Sequence, residues 1–150
     1  MDFDCWTGIK IGEHTYIIAE KIRYKEKTSD DVWTEYGLIT NDSDTRLWLS
    51  IAEGGRSCSL SSPVGNKLPK GFRLRDRGVE VVTGVWGDTE TAVGDETAYE
   101  QYESADGNET FFVEHWNGRR SSSAGRKIGA AVIALDAGTD VQRRARWVRL

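Results

Sequence analysis

Cysteine, histidine, proline and methionine are all scarce in this chain, and the shortages remove several classes of protein. Its 150 residues include two cysteines, Cys5 and Cys58, two histidines, His14 and His115, two prolines and one methionine. Two cysteines are too few for a disulfide framework. Spread with the histidines over positions 5, 14, 58 and 115, they lack the close paired spacing of a zinc site, so no metal is expected. A hydrolase needs a nucleophile, a base and a group that orients the base. Ser121-Ser122-Ser123-Ala124-Gly125 is not a Gly-x-Ser-x-Gly elbow, and both histidines fall in strand or strand-edge positions. Asp88, Glu90, Asp95 and Glu96 miss the ligand spacing and central glycine of an EF-hand. A phosphate-cradling loop ending in Gly-Lys-Ser/Thr is also missing. No catalytic residue, cofactor or enzymatic activity is therefore expected.

Long apolar runs are missing too. Nothing approaches the ~18 apolar residues of a membrane span. The start, Met1-Asp2-Phe3-Asp4-Cys5-Trp6, has neither the basic region nor the apolar core of a signal peptide, so a cytoplasmic location is expected. What the chain does hold is glycine, at 16 residues, with six Trp, five Tyr and four Phe. That mixture predicts short strands joined by glycine-containing turns. Aromatics interleaved with arginines resemble a nucleic-acid surface, but such a surface needs a positive groove for the phosphates. The net charge is -4, and the aromatic-rich second hairpin is the most acidic stretch, so nucleic-acid binding is not expected. Most of the tryptophans are read as packing residues.

The sequence also carries one pattern twice, and such echoes precede other readings. Trp33-Thr34-Glu35-Tyr36 leads through a polar turn to Trp48 and then Gly54-Gly55-Arg56-Ser57-Cys58-Ser59. Tyr99-Glu100-Gln101-Tyr102 leads in the same way to Phe112 and then Gly118-Arg119-Arg120-Ser121-Ser122-Ser123. From Trp48 and Phe112 onward the registers are identical. The alternative to a true repeat is chance recurrence in a chain rich in Ser and Gly.

Alternation places a strand over 15–25, with Tyr16, Ile18, Ile22 and Tyr24 on one face and Glu20 as the one polar residue there. Residues 32–40 and 46–51 form a hairpin about Asn41-Asp42-Ser43-Asp44, and 98–104 and 110–116 form a second about Asp106-Gly107-Asn108. The register of the first hairpin is not readable, because a one-residue slip reverses its faces. Segment 61–71 reads as the seam between halves, and 128–135 as either a buried strand or the only helix. The expected fold is mostly β with little helix: a lead over 1–7, two related antiparallel halves over 8–70 and 71–135, and a basic tail over 136–150. The halves would pack as one unit, a sandwich or a pair of open barrels.

Charge is segregated: residues 86–117 carry nine acids and no Lys or Arg, and 118–150 carry eight bases against Asp136 and Asp140. Complementary strands that neutralise each other explain this, as does a basic patch that meets an acidic partner.

The ordered set Thr15-Tyr16-Ile17-Ile18, Ile22-Arg23-Tyr24, Trp33-Thr34-Glu35-Tyr36-Gly37-Leu38 and Trp48-Leu49-Ser50 resembles the bacterial family known as domain of unknown function 4178, over most of residues 8–135. Tyr99, Tyr102 and Gly118-Arg119-Arg120 match it more loosely. The resemblance implies a cytoplasmic bacterial β-rich domain with no established activity, and it carries over no catalytic residue. Its members' frequent neighbours, membrane-stress and polyamine-synthase-like proteins, imply an accessory role.

Two functions from different classes follow. The first is a non-enzymatic interaction module for an unknown protein partner or a second copy, with no membrane insertion. Trp48, Arg56, Trp116 and Arg120 would form its surface near exposed sheet edges, since Trp and Arg dominate binding hot spots; Arg56 and Arg120 are equally readable as strand-pairing partners of Glu35 and of Glu100 or Glu103. The second is an acidic pocket for a small cationic, polyamine-like ligand, built from Glu96, Glu100 and Glu103.

Overall fold

The computed structural model describes residues 1–40, 43, 46–55 and 57–136. Expectations that fall on Asn41, Asp42, Asp44, Arg56 and the basic tail from 137 lie outside the described residues. Ten strands follow in order: β1 (Gly8–Ile11), β2 (His14–Glu26), β3 (Val32–Ile39), β4 (Leu47–Ala52), β5 (Cys58–Val64), β6 (Arg73–Gly87), β7 (Glu96–Glu103), β8 (Glu109–Trp116), β9 (Arg119–Ile128) and β10 (Ile133–Asp136). Among the described residues there is no α-helix, only short 3-10 turns. Segment 128–135 is neither one strand nor one helix: β9 ends at Ile128, Ala130–Val132 turns, and β10 begins at Ile133.

All pairings are antiparallel. Strands β2-β3-β4-β5-β9-β8-β7-β6 run in that spatial order, and β6 closes back on β2. The result is one closed eight-stranded barrel, with β1 and β10 added beside β2. This corrects the sandwich or pair of open barrels: strands from both expected halves share one wall. The seam is shorter than expected, because β5 extends to Val64 and takes in Pro63.

The long strand β2 makes the closure possible. Its first residues, His14 to Ile17, pair with β1, and Glu20 to Glu26 on the same edge pair with β6. Between Ile18 and Glu20 the register against β3 shifts by one residue. A β-bulge of this kind bends a strand and reverses the side-chain alternation beyond it. Tyr16 and Ile18 therefore face outward, whereas Glu20, Ile22 and Tyr24 face into the barrel. The single apolar face expected for this strand is corrected to two half-faces.

The two sides of the sheet are unlike. On the outside of β2–β5, Ile18, Tyr36, Leu38, Leu49 and Ile51 are almost fully buried against Ile9 and Ile11 of β1, Ile133 of β10 and Phe3. The Phe3 ring meets Tyr36 edge-on at 5.7 Å, and its N–H donates to the Tyr36 hydroxyl at 3.1 Å. This is the apolar core, and at ~25 cal/mol per Å² of buried apolar surface it supplies most of the drive to fold. The barrel interior is built from different residues.

Candidate functional site: the barrel cavity

An eight-stranded barrel is just wide enough for its side chains to fill it or for one small ligand to enter. Which outcome holds depends on the size of the inward residues. On β4, β5 and β9 most of these are small: Ser50, Ser59, Ser61, Ser121 and Ser123 all face the interior. Gly125 belongs to the same wall, where a Cβ would sit 2.6 Å from the Leu60 carbonyl oxygen. The interior is accordingly not filled. It holds a cavity of about 670 Å³ lined by residues of all eight barrel strands, within the ~300–1,000 Å³ range of small-molecule sites.

The opposite wall is aromatic. Tyr24 of β2 stacks on Trp33 of β3 at 5.6 Å, Trp33 meets Tyr99 of β7 edge-on at 5.9 Å, and Tyr99 stacks on Phe112 of β8 at 5.5 Å. Trp48 closes one end with Ile22 and Val82. A hydroxyl-lined wall thus faces a wall of ring faces and edges.

Acids supply the charge. Glu35 of β3 and Glu114 of β8 line the cavity, and Glu80 of β6 points inward beside them. Glu35 stands opposite Ile22 and Ser50 in the sheet, and Glu114 opposite Tyr99 and Ser121. Burial, then the Glu114 and Glu20 charges, push the Glu35 carboxyl up to about 8. Glu80 is 1% exposed; burial, then a side-chain hydrogen bond with Glu114, raise its pKa strongly. Its Oε2 has no hydrogen-bond partner. The same enclosure drives the Tyr24 hydroxyl upward, through burial first and then the Glu35, Glu80 and Glu114 charges. Among the described residues, the charges acting on Glu35 and Glu80 are those of other acids. Asp30, Asp31, Glu53 and Asp76 extend the acidic lining; among the described residues its one base is Lys127, bound to Glu103 at 3.1 Å.

Glu20 is a different case. It lies over Gly37, where a Cβ would come within 2.5 Å of its Cγ, so only glycine leaves it room. Arg46 Nε donates to Glu20 Oε1 at 2.6 Å, and the same guanidinium reaches Asp88 at 3.0 Å. Burial still raises the Glu20 pKa, with Thr89 and Arg46 opposing it. This paired acid completes the end of the barrel.

Of the residues singled out from sequence, the described ones, Trp48, Trp116 and Arg120, do not converge. Trp48 is an interior packing residue rather than a surface anchor. Trp116 is 42% exposed at the β8–β9 turn, opposite Arg119. Arg120 is exposed opposite His115, and its charge acts on Glu100. Neither segment after a hairpin is a sheet edge, because β5 and β9 pair with each other from Cys58↔Ile128 to Val64↔Ser122. Glu96, Glu100 and Glu103 do not line the cavity: Lys27 holds Glu96 at 2.7 Å, His115 meets Glu100 at 3.2 Å, and Arg75 and Lys127 flank Glu103. An acid-lined cavity exists, but Glu35 and Glu114 line it, with Glu80 buried beside them. Serines at alternate positions of β5 and β9, opposite Leu60 and Phe111 on the other face, were the legible signal of a hollow interior.

Neither thiol is poised as a nucleophile. Burial raises Cys58 and pushes Cys5 up to about 11. Among the described residues no three His, Cys, Asp or Glu side chains are arranged to hold a metal ion, and no helix is long and apolar enough to cross a membrane.

A family model described as a domain of unknown function (DUF4178) matches residues 7–130. The chain belongs to that family. No curated protein and no solved structure matched it. For this DUF4178 domain the barrel cavity is the feature from which a function has to be argued.

Proposed function

We propose that this DUF4178 domain is a non-enzymatic binding module whose barrel takes a small molecule bearing an amine on a flat apolar body. The observation that carries the reading is Glu80, buried with an unpaired oxygen beside Glu35 and Glu114, the two acids that line the cavity. A buried carboxyl group without a partner is costly unless something supplies hydrogen bonds or opposite charge. An ammonium group does both. The aromatic wall suits the ligand's apolar face, with cation–π attraction near the charged end, and the serine wall suits its polar edge. Polyamine-like chains fall in the same cationic class, though they leave the aromatic wall less well used.

The same reading treats β2–β5 and β6–β9 as copies of one four-strand unit. Supporting it, the sequence echo aligns Cys58 with Ser122, and Cys58 faces Ile128 just as Ser122 faces Val64. The echoed pairs Trp33 and Tyr99, Trp48 and Phe112, and Ser59 and Ser123 all line the cavity. The acids break the pattern: Glu35 corresponds to Gln101, and Glu114 to Ser50.

The test is a tryptophan-fluorescence and calorimetric titration with tyramine, 1,4-diaminobutane and the uncharged analogue 4-hydroxyphenylethanol. Tyramine binding that is at least about tenfold tighter than the uncharged analogue, and that weakens in Glu35→Gln, supports the reading. Equal affinity for both, or none for any of the three, refutes it. A second reading, a protein-interaction module, rests on a separate observation: among the described residues β10 pairs only with β1, and its Leu135 is 66% exposed. A Leu135→Lys variant that loses a partner while keeping tyramine binding would favour it.

A further inference from the structure

Glu80 is buried with an unpaired Oε2, and Glu35 and Glu114 line the cavity beside it; carboxyl groups enclosed this closely repel one another when all are ionised, so the cluster keeps protons. The fully enclosed Glu80 is placed to keep one of them. Glu35 differs from it, since it lines the cavity directly, where an entering ligand meets it. Other groups face this floor from every neighbouring strand. From β2 come Tyr24 and Glu20, with Glu26 paired to Glu80; from β6 and β7 come Asp76 and Tyr99, joined by a 3.1 Å hydrogen bond. Two described bases near the cavity are occupied: Arg46 holds Glu20 and Asp88, and Lys127 holds Glu103.

Resting on the cavity reading above, we propose that the barrel is a proton–amine exchanger: Glu35 releases one proton to solvent as the ligand's ammonium group binds, while Glu80 retains its own. The balance is simple. The Glu35 O–H bond breaks, its electron pair stays on the carboxylate, and the ammonium nitrogen donates a hydrogen bond to that carboxylate. No other bond changes, and charge in the site is conserved. Enclosure and neighbouring acids hold Glu35 neutral at pH 7, its pKa lying near 8, which agrees with the exchange. An empty floor with two neutral carboxyls avoids the mutual repulsion of three buried carboxylates. A neutral molecule of the same shape releases nothing and gains no ion pair.

Affinity for an ammonium ligand should then rise close to tenfold per pH unit between about pH 6 and 8, as protons are removed from Glu35, and level off above that. The experiment is calorimetric titration of the whole chain with tyramine, whose ammonium group stays charged through this range, in two buffers of different ionisation heat. The account expects close to one proton released per tyramine at pH 7. In Glu35→Gln both the release and the pH slope should vanish, with residual weaker binding. In Glu80→Gln, whose amide can donate to Glu114, both should persist. Tyramine binding with no proton release and a flat pH profile overturns the exchange and leaves the binding reading intact. Release that persists in Glu35→Gln also overturns it, since Glu35 is then not the donor. Failure of the folded wild-type chain to bind tyramine anywhere from pH 6 to 9 overturns the binding reading and this inference with it.

Discussion

The two faces of one sheet solve opposite problems. The outer face of β2–β5 buries Ile18, Tyr36, Leu38 and Leu49 to 0% exposure and is closed over by β1, β10 and Phe3. The inner face of the same strands presents Glu35, Ser50, Ser59 and Ser61 to open space. On β3 the contrast alternates residue by residue: Trp33, Glu35 and Gly37 face in, and Tyr36 and Leu38 face out. Stability comes from the outside of the barrel, which frees the inside from having to be a core. Closed packing and an open polar interior are hard to combine in one small domain; here an added pair of strands separates them.

The first way to break this comparison is to cut the outer core. Leu49→Ala removes a fully buried side chain and should cost about 3 kcal/mol in denaturant unfolding, with little effect on tyramine affinity. A loss below about 1 kcal/mol would show that the outer face is not where stability resides. The second prediction concerns the acids inside. Glu35 has a folded pKa near 8 against ~4.3 when unfolded, so its protonated form favours the fold. That contribution is complete below about pH 4.3 and is lost as pH rises to about 8. Melting temperature should therefore fall across this range, and the slope should flatten in Glu35→Gln. At pH 8 the variant should be more stable than wild type by on the order of 1–2 kcal/mol.

A third change fills the hollow. Ser61→Leu places a large side chain among the serines; it should abolish tyramine binding while altering stability by roughly 1 kcal/mol or less, since there is space to receive it. The smallest effect is expected on the outer rim. Arg120→Ala, exposed opposite His115, should change stability by about 0.5 kcal/mol or less.

Much of this contrast was written locally in the chain. The alternation of Val32 to Ile39 and of Glu109 to Trp116, and the Asp106-Gly107-Asn108 turn, place both hairpins correctly. What was not legible depended on contacts distant in sequence. The bulge at Ile18–Glu20 adds one residue that a period-two pattern cannot reveal, so Glu20 looked like an intruder on an apolar face. Closure rests on the pairing of Glu26 with Glu80, 54 positions later, with no local cue. Glu35 was readable as a strand-pairing partner of Arg56, which lies outside the described residues, but nothing near it in the chain says that it lines a cavity together with Glu114. The acidic pocket was expected from the acid-rich run at 96–103, but charge density along the chain does not report convergence in space. Glu100 sits on the outer face beside His115, and Glu103 spends its charge on Arg75 and Lys127.

The most direct test of the division between the two faces is a chemical-shift map of the isotopically labelled domain, with and without saturating tyramine at pH 8. The account predicts the largest shifts at inward residues, the Trp33 indole and the amides of Glu35, Ser59, Phe112 and Ser123, with the amides of Ile9, Ile11 and Ile133 in the outer core unmoved. Shifts centred on the outer core, or on exposed Trp86 and Trp116 with the interior unchanged, would contradict it.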